Sequence, residues 1–141
     1  MDKEIWGEYE GSWLHKNSVY IYGASFGGLI ASANAIGRVL QDLLKDKSHL
    51  LGKHMKSKLY TQQKTVNNKY INMTLGWHVE NLNGSKYFYK EGGGAGFHCE
   101  MRIYPDEELA SVIIVNKSSL NTKKELSRLD SGFIKKYNQV K

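Results

Sequence analysis

A lysine followed by a glycine-rich run, Lys90-Glu91-Gly92-Gly93-Gly94-Ala95-Gly96, is the stretch whose residue types best suit chemistry. Glycines keep side chains out of the way, so backbone N–H groups can approach a ligand closely. Residues 86–90 read as a strand and 97–104 as the next one. The run therefore stands at the end of a strand, where a sheet edge can become one wall of an active site. The other reactive side chains point to less. Cys99, the single cysteine, lies in an alternating pattern with Phe97, Met101 and Ile103 and reads as a small buried apolar residue. His78 and His98 are expected on neighbouring strands, on the more polar face. No third ligand stands at a suitable spacing, so no metal and no other cofactor is expected. His15, His49 and His54 read as surface residues.

The elements that must position this run follow from periodicity. Residues 1–28 hold Trp6, Tyr9, Trp13, Tyr20, Tyr22 and Phe26 and read as an extended, aromatic-rich segment that needs apolar cover. From Leu29 the pattern is helical, with Leu29, Ala33, Ile36, Leu40 and Leu43 at spacings of three and four, which predicts a helix over 29–45. A shorter helix is expected at 48–59, with Leu51, Met55 and Leu59 on one face. The polar stretch 60–70 reads as a loop. The period then becomes two: Met73, Leu75, Trp77 and Val79 alternate with Thr74, Gly76, His78 and Glu80, which predicts a half-buried strand. Asn81-Leu82-Asn83-Gly84-Ser85 is a hairpin turn, and Pro105-Asp106-Glu107-Glu108 is a second turn. Residues 109–116 form a nearly continuous apolar strand, expected to be covered on both faces. A last helix is predicted over about 122–138, capped by Asn121 or Thr122, with Leu126, Leu129, Phe133, Tyr137 and Val140 as its apolar stripe.

This order predicts an α+β fold in one domain, 1–141. It comprises the extended segment 1–28, a helical part 29–70, and an antiparallel sheet of about four strands with a C-terminal helix packed on it, 71–141. The chain is long enough for one core. The net charge of +6 comes from lysines spread along the chain. No zinc-finger spacing or aromatic RNA-binding motif accompanies them, so nucleic acid is not an expected partner. No apolar run approaches ~18 residues, so no membrane span is expected. The N-terminus has no apolar signal-like region, and with the lone cysteine this points to the cytoplasm.

Several short motifs occur in a particular order: Gly27-Gly28-Leu29, Leu75-Gly76-Trp77, Lys90-Glu91-Gly92 with Gly96-Phe97, Tyr104-Pro105-Asp106, and Val112-Ile113-Ile114-Val115-Asn116. Over residues 20–138 this order resembles the C-terminal part of the serine beta-lactamase and penicillin-binding-protein family, nearest to its class C beta-lactamase and esterase branch. The resemblance implies a serine hydrolase built on three motifs. Ser-x-x-Lys supplies the nucleophile, Tyr-x-Asn or Ser-x-Asn assists proton transfer, and Lys-Thr-Gly lines the substrate strand.

No serine in this sequence stands three residues before a lysine. Thr61-Gln62-Gln63-Lys64 lies in a polar loop far from where that motif belongs. Tyr70-Ile71-Asn72 and Ser32-Ala33-Asn34 match the second motif in letters but fall in the wrong order. The third motif is present in altered form as Lys90-Glu91-Gly92, with Glu91-Gly92-Gly93 as the other register. By resemblance Lys90 supplies positive potential, Glu91, Gly92 and Gly93 line the substrate, and the Gly93 N–H donates to the oxyanion. A carboxylate at Glu91 disfavours substrates that carry a carboxylate and leaves an ester or amide ligand less affected.

The resemblance thus implies the C-terminal fragment of a beta-lactamase-like hydrolase, catalytically incomplete alone. The alternative is a non-catalytic domain that binds a ligand or protein. In the family's sheet, the strand corresponding to 109–116 pairs with one from the N-terminal portion. Expected partners are therefore a separately encoded N-terminal portion or a second copy of this chain, with segment 1–13 as a third way to cover that edge.

Overall fold

The computed structural model describes residues 5–9, 12–15, 27, 29–94 and 96–140. Its organising feature is a meander of four antiparallel strands: β3 (His78–Leu82), β4 (Ser85–Gly94), β5 (Phe97–Tyr104) and β6 (Leu109–Val115), in spatial order β3-β4-β5-β6. Local chemistry sets the turns. Asn83 and Gly84 both take positive φ, 53° and 94°, as a two-residue turn matched to strand twist requires. Pro105 opens the β5–β6 turn and Glu108 closes it at φ 51°. Upstream, β1 (Ile5–Tyr9) and β2 (Ser12–His15) pair with each other in a separate two-stranded sheet, so the described part of segment 1–28 is extended, as expected. The expectations for Tyr20, Tyr22 and Phe26 fall outside the described residues.

Alternation divides the sheet into two faces. One face carries Val79, Phe88 and Ile103, which pack with Leu40, Leu43 and Trp77 into the larger core cluster. Helix α1 (Ala33–Leu44) covers it, and Leu51, just before α2 (Lys53–Tyr60), closes its margin with Leu59 and Tyr60 at the helix's C-terminal end. The other face carries Tyr87 and Tyr104, with Ile134 of α3 (Thr122–Val140) packed on them. The architecture is α+β, a four-stranded antiparallel sheet with a C-terminal helix.

Several expected boundaries shift, each for a local reason. The first helix starts at Ala33, not 29, because the Ser32 hydroxyl accepts the Ala35 N–H and caps it there; Leu29 lies outside and is 79 % exposed. The second helix starts at Lys53, not 48. Asp42 first gathers the Ser48 hydroxyl (2.5 Å) and the N–H groups of His49 and Leu50, which holds that segment as a loop. Met55 is exposed, and Tyr60 faces the core in its place. The strand predicted from Met73 begins only at His78. Gly76 at φ 88° breaks the extended run, leaving Met73 and Leu75 exposed while Trp77 and Val79 are buried.

The glycine run does not follow the second strand as a loop. Gly92, Gly93 and Gly94 continue β4, paired with Cys99, His98 and Phe97. Strand β6 is less covered than its apolar run implied: it forms the sheet edge, and Ile114 is 44 % exposed.

The final helix corrects the reading of its stripe. Asn121 caps it, its side-chain oxygen accepting the Lys124 N–H at 2.9 Å. The buried line is Thr122, Leu126, Asp130 and Ile134, at i+4 spacing, while Leu129 and Phe133 are exposed. Its two polar members satisfy buried charge on β5. Arg102 donates to Glu100 (2.6 Å), Asp130 (3.3 Å), the Ser127 hydroxyl (3.2 Å) and the Lys123 carbonyl (2.9 Å). Asp130 also accepts from Tyr104 and Ser111, and Glu100 from Thr122. Burial pushes the Asp130 carboxyl and the Tyr104 phenol upward.

Candidate functional site

The geometry of the Lys90–Gly94 stretch follows from where β3 stops. Strand β4 pairs with β3 only as far as His78↔Tyr89, yet with β5 as far as Gly94↔Phe97. Only two residues separate Gly94 from Phe97, so that pair must exchange both ladder hydrogen bonds. Alternation then directs the N–H groups of Gly92 and Lys90 to β5 as well. It turns those of Glu91 and Gly93 the other way, past the end of β3. Among the described residues the sheet thus presents an open edge, whose side-chain cover is minimal because the residues are glycines.

The side chains of Lys90 and Glu91 leave on opposite faces. Lys90 is exposed, on the face that α1 and α2 cover, opposite Met101. Glu91 is on the α3 face, where its carboxylate meets His98 Nε2 at 2.7 Å. The lysine and the glutamate therefore do not converge on one ligand group. The three strand glycines are also not equivalent. A Cβ at Gly94 would meet the Phe97 ring at 2.5 Å, and one at Gly92 would meet Cys99 Sγ at 3.0 Å. At Gly93 the nearest atom is His98 Cδ2 at 3.5 Å, an ordinary contact. Packing accounts for glycine at 92 and 94; at 93 it does not.

The hairpin tip is gripped from outside the sheet. The Ser118 hydroxyl accepts the Gly96 N–H and donates to the Gly94 carbonyl, both at 3.0 Å. His98 Nδ1 lies 2.9 Å from the Leu120 carbonyl oxygen. Sequence reasoning did not single out Ser118 or Leu120, because only the register of β6 and α3 brings the connection between them onto the tip. The buried Glu100–Arg102–Asp130 cluster was missed too. Its signal was available: charges at alternating positions of an otherwise apolar strand.

Cys99 is half-buried; its thiol donates to the Gly92 carbonyl, and burial pushes its pKa upward, away from thiolate character. His78 and His98 are not on neighbouring strands, since β4 runs between β3 and β5. Among the described residues no group of three or more His, Cys, Asp or Glu side chains is placed to hold a metal. His49 and His54 are exposed, and His15's side chain lies outside the described residues. No described helix is long and apolar enough to cross a membrane. A groove between α1 and β6, lined by Leu40, Leu44, Ala110 and Val112 together with Gln41, Glu108 and Ser111, lies at the opposite edge of the sheet from the glycine run.

The arrangement offers an outward backbone N–H beside a lysine on an open sheet edge. It suits the stabilisation of developing negative charge on an acyl oxygen. No curated protein and no solved structure matches this chain. The family model for beta-lactamase does match it, over residues 5–130, and by that match the chain belongs to the beta-lactamase family.

Proposed function

We propose that this chain supplies the substrate-strand wall of a beta-lactamase-like serine hydrolase and takes its nucleophile from outside these 141 residues. The observation that supports this reading is the open edge of β4, which runs past the end of β3 and turns the Gly93 N–H outward. In this role Gly93 donates to the oxyanion of an acyl intermediate, and Lys90 raises the positive potential where that charge develops. The N–H is fixed by the ladder before substrate arrives, so little reorganisation is needed. Glu91 faces away from Lys90 and is held by His98. Lys90 is therefore the charge nearest the substrate in this wall; the reacting group is an ester or amide, and Glu91, turned away, no longer weighs against a substrate that carries a carboxylate.

Without an activated serine such a wall binds but does not acylate. The edge of β6, unpaired among the described strands, is the docking position we assign to the nucleophile-bearing portion or, in its absence, to a second copy of the chain. The test is incubation of this chain with a penicillin and with a fluorophosphonate, followed by intact-mass measurement. No covalent adduct is expected on the chain alone. An adduct on any of its serines would overturn the proposal that the nucleophile lies elsewhere.

A further inference from the structure

His98 makes two hydrogen bonds that no neutral imidazole can make together. Its Nδ1 faces the Leu120 carbonyl oxygen at 2.9 Å, which only accepts. Its Nε2 faces the Glu91 carboxylate at 2.7 Å, which when ionised also only accepts. Neutral histidine has one N–H; with Glu91 ionised, both bonds form together only in the imidazolium. Glu91 stands directly opposite Glu100 across the β4–β5 ladder, and like charges so placed repel. Arg102 and Thr122 satisfy Glu100; on Glu91 the described partner is His98.

The two bonds join parts of the chain that matter to the candidate site. Glu91 stands between Lys90 and Gly92 on the open edge. Leu120 belongs to the connection whose Ser118 grips the Gly94–Gly96 tip. Two residues later Thr122 opens α3, itself tied to Glu100. His98 is therefore the cross-brace between the glycine edge and the start of α3.

We propose that His98 is a positioning residue for the glycine-rich edge, holding Glu91 and the 118–120 connection together as an imidazolium and releasing one of them when it loses its proton. The proposal rests on the Lys90–Gly93 wall as the working site, but the brace can be tested without catalysis. On the sheet face that His98 shares, the other ionisable or charged groups are Tyr87 and Tyr89 on β4 and Glu100, Arg102 and Tyr104 on β5; Lys117 stands in the connection, and Lys123, Lys124 and Glu125 in the first turn of α3. Strand β6 carries none. None of these replaces a second N–H on the ring. Loss of the second ring proton opens the brace.

The variant Glu91→Gln separates this from a merely structural contact. A glutamine side chain can donate to a neutral Nε2 while Nδ1–H still reaches Leu120, so both bonds persist without the charge. The experiment is an NMR pH titration of the whole chain, following the His98 ring nitrogens and the amides of Gly92, Gly93, Gly94, Gly96 and Asn121. In the wild type both ring nitrogens carry protons at low pH, and the glycine and Asn121 amides move together as one is lost. In Glu91→Gln that concerted movement is lost. A ring with a single proton across the whole range, or the same glycine titration in Glu91→Gln, would overturn the proposal. Should the variant not fold, the wild-type ring nitrogens alone decide it. Failure of the acylation test would leave this result untouched, so the two proposals fail separately.

Discussion

On the side of α1 the sheet meets Leu40, Leu43 and Trp77; on the side of α3 it meets Glu100, Arg102 and Asp130, buried as deeply. The first face is held by apolar area and shape, which tolerate exchange among residues of similar volume. The second is held by charges that each depend on a particular partner. The candidate site lies where the two accounts meet. Lys90 leaves β4 on the apolar side, Glu91 on the ionic side, and Gly93 between strands with its N–H facing outward. The apolar face fixes where β4 lies, and the ionic face fixes how the β6–α3 connection grips its tip.

The sharpest way to break this contrast is Arg102→Ala. It leaves Glu100 and Asp130 buried without their cation, and a loss of about 3–5 kcal/mol is expected in urea denaturation. Arg102→Lys is expected to rescue little of it, because an ammonium cannot reach Glu100, Asp130 and the Lys123 carbonyl at once. On the other face, Leu40→Ala should cost roughly 2–5 kcal/mol, whereas Leu40→Met should cost less than about 1.5 kcal/mol. Equal tolerance of conservative exchange on the two faces would remove the distinction.

A smaller effect sharpens it through pH. Hydrogen bonds from the Ser48 hydroxyl, His49 and Leu50 hold the Asp42 carboxyl well below the usual carboxylate range. A carboxyl depressed in the folded state stabilises above its unfolded pKa, near 4, and that stability is lost as pH falls. Asp42→Asn should therefore lower stability at neutral pH and flatten the acid side of the stability profile. Thermal melts between about pH 2 and 7 check it; an unchanged acid limb would contradict the assignment.

The two faces were not equally legible in the sequence. Val79 and Ile103 follow a period of two, and Leu40 and Leu43 follow helical spacing, so much of the apolar core could be read directly. The α3 face could not. Thr122 and Asp130 lie on the buried line with Leu126 and Ile134, and a hydrophobic stripe drawn by apolarity alone rotates to Leu129 and Phe133, which are exposed. The motif Lys90-Glu91-Gly92 marked the site's strand, but glycines read as a loop. It takes the ladder with Phe97, His98 and Cys99 to hold them as a strand. The motif's letters also did not reveal that Lys90 and Glu91 diverge, which follows from alternation once the run is extended.

The central claim is that β4 outruns β3 and turns the Gly93 N–H outward between two glycines bonded to β5. Residue-resolved amide hydrogen exchange in the intact chain tests it most directly. The account predicts slow exchange at Gly92 and Gly94 and fast exchange at Gly93. Protection of Gly93 equal to that of its two neighbours would contradict it.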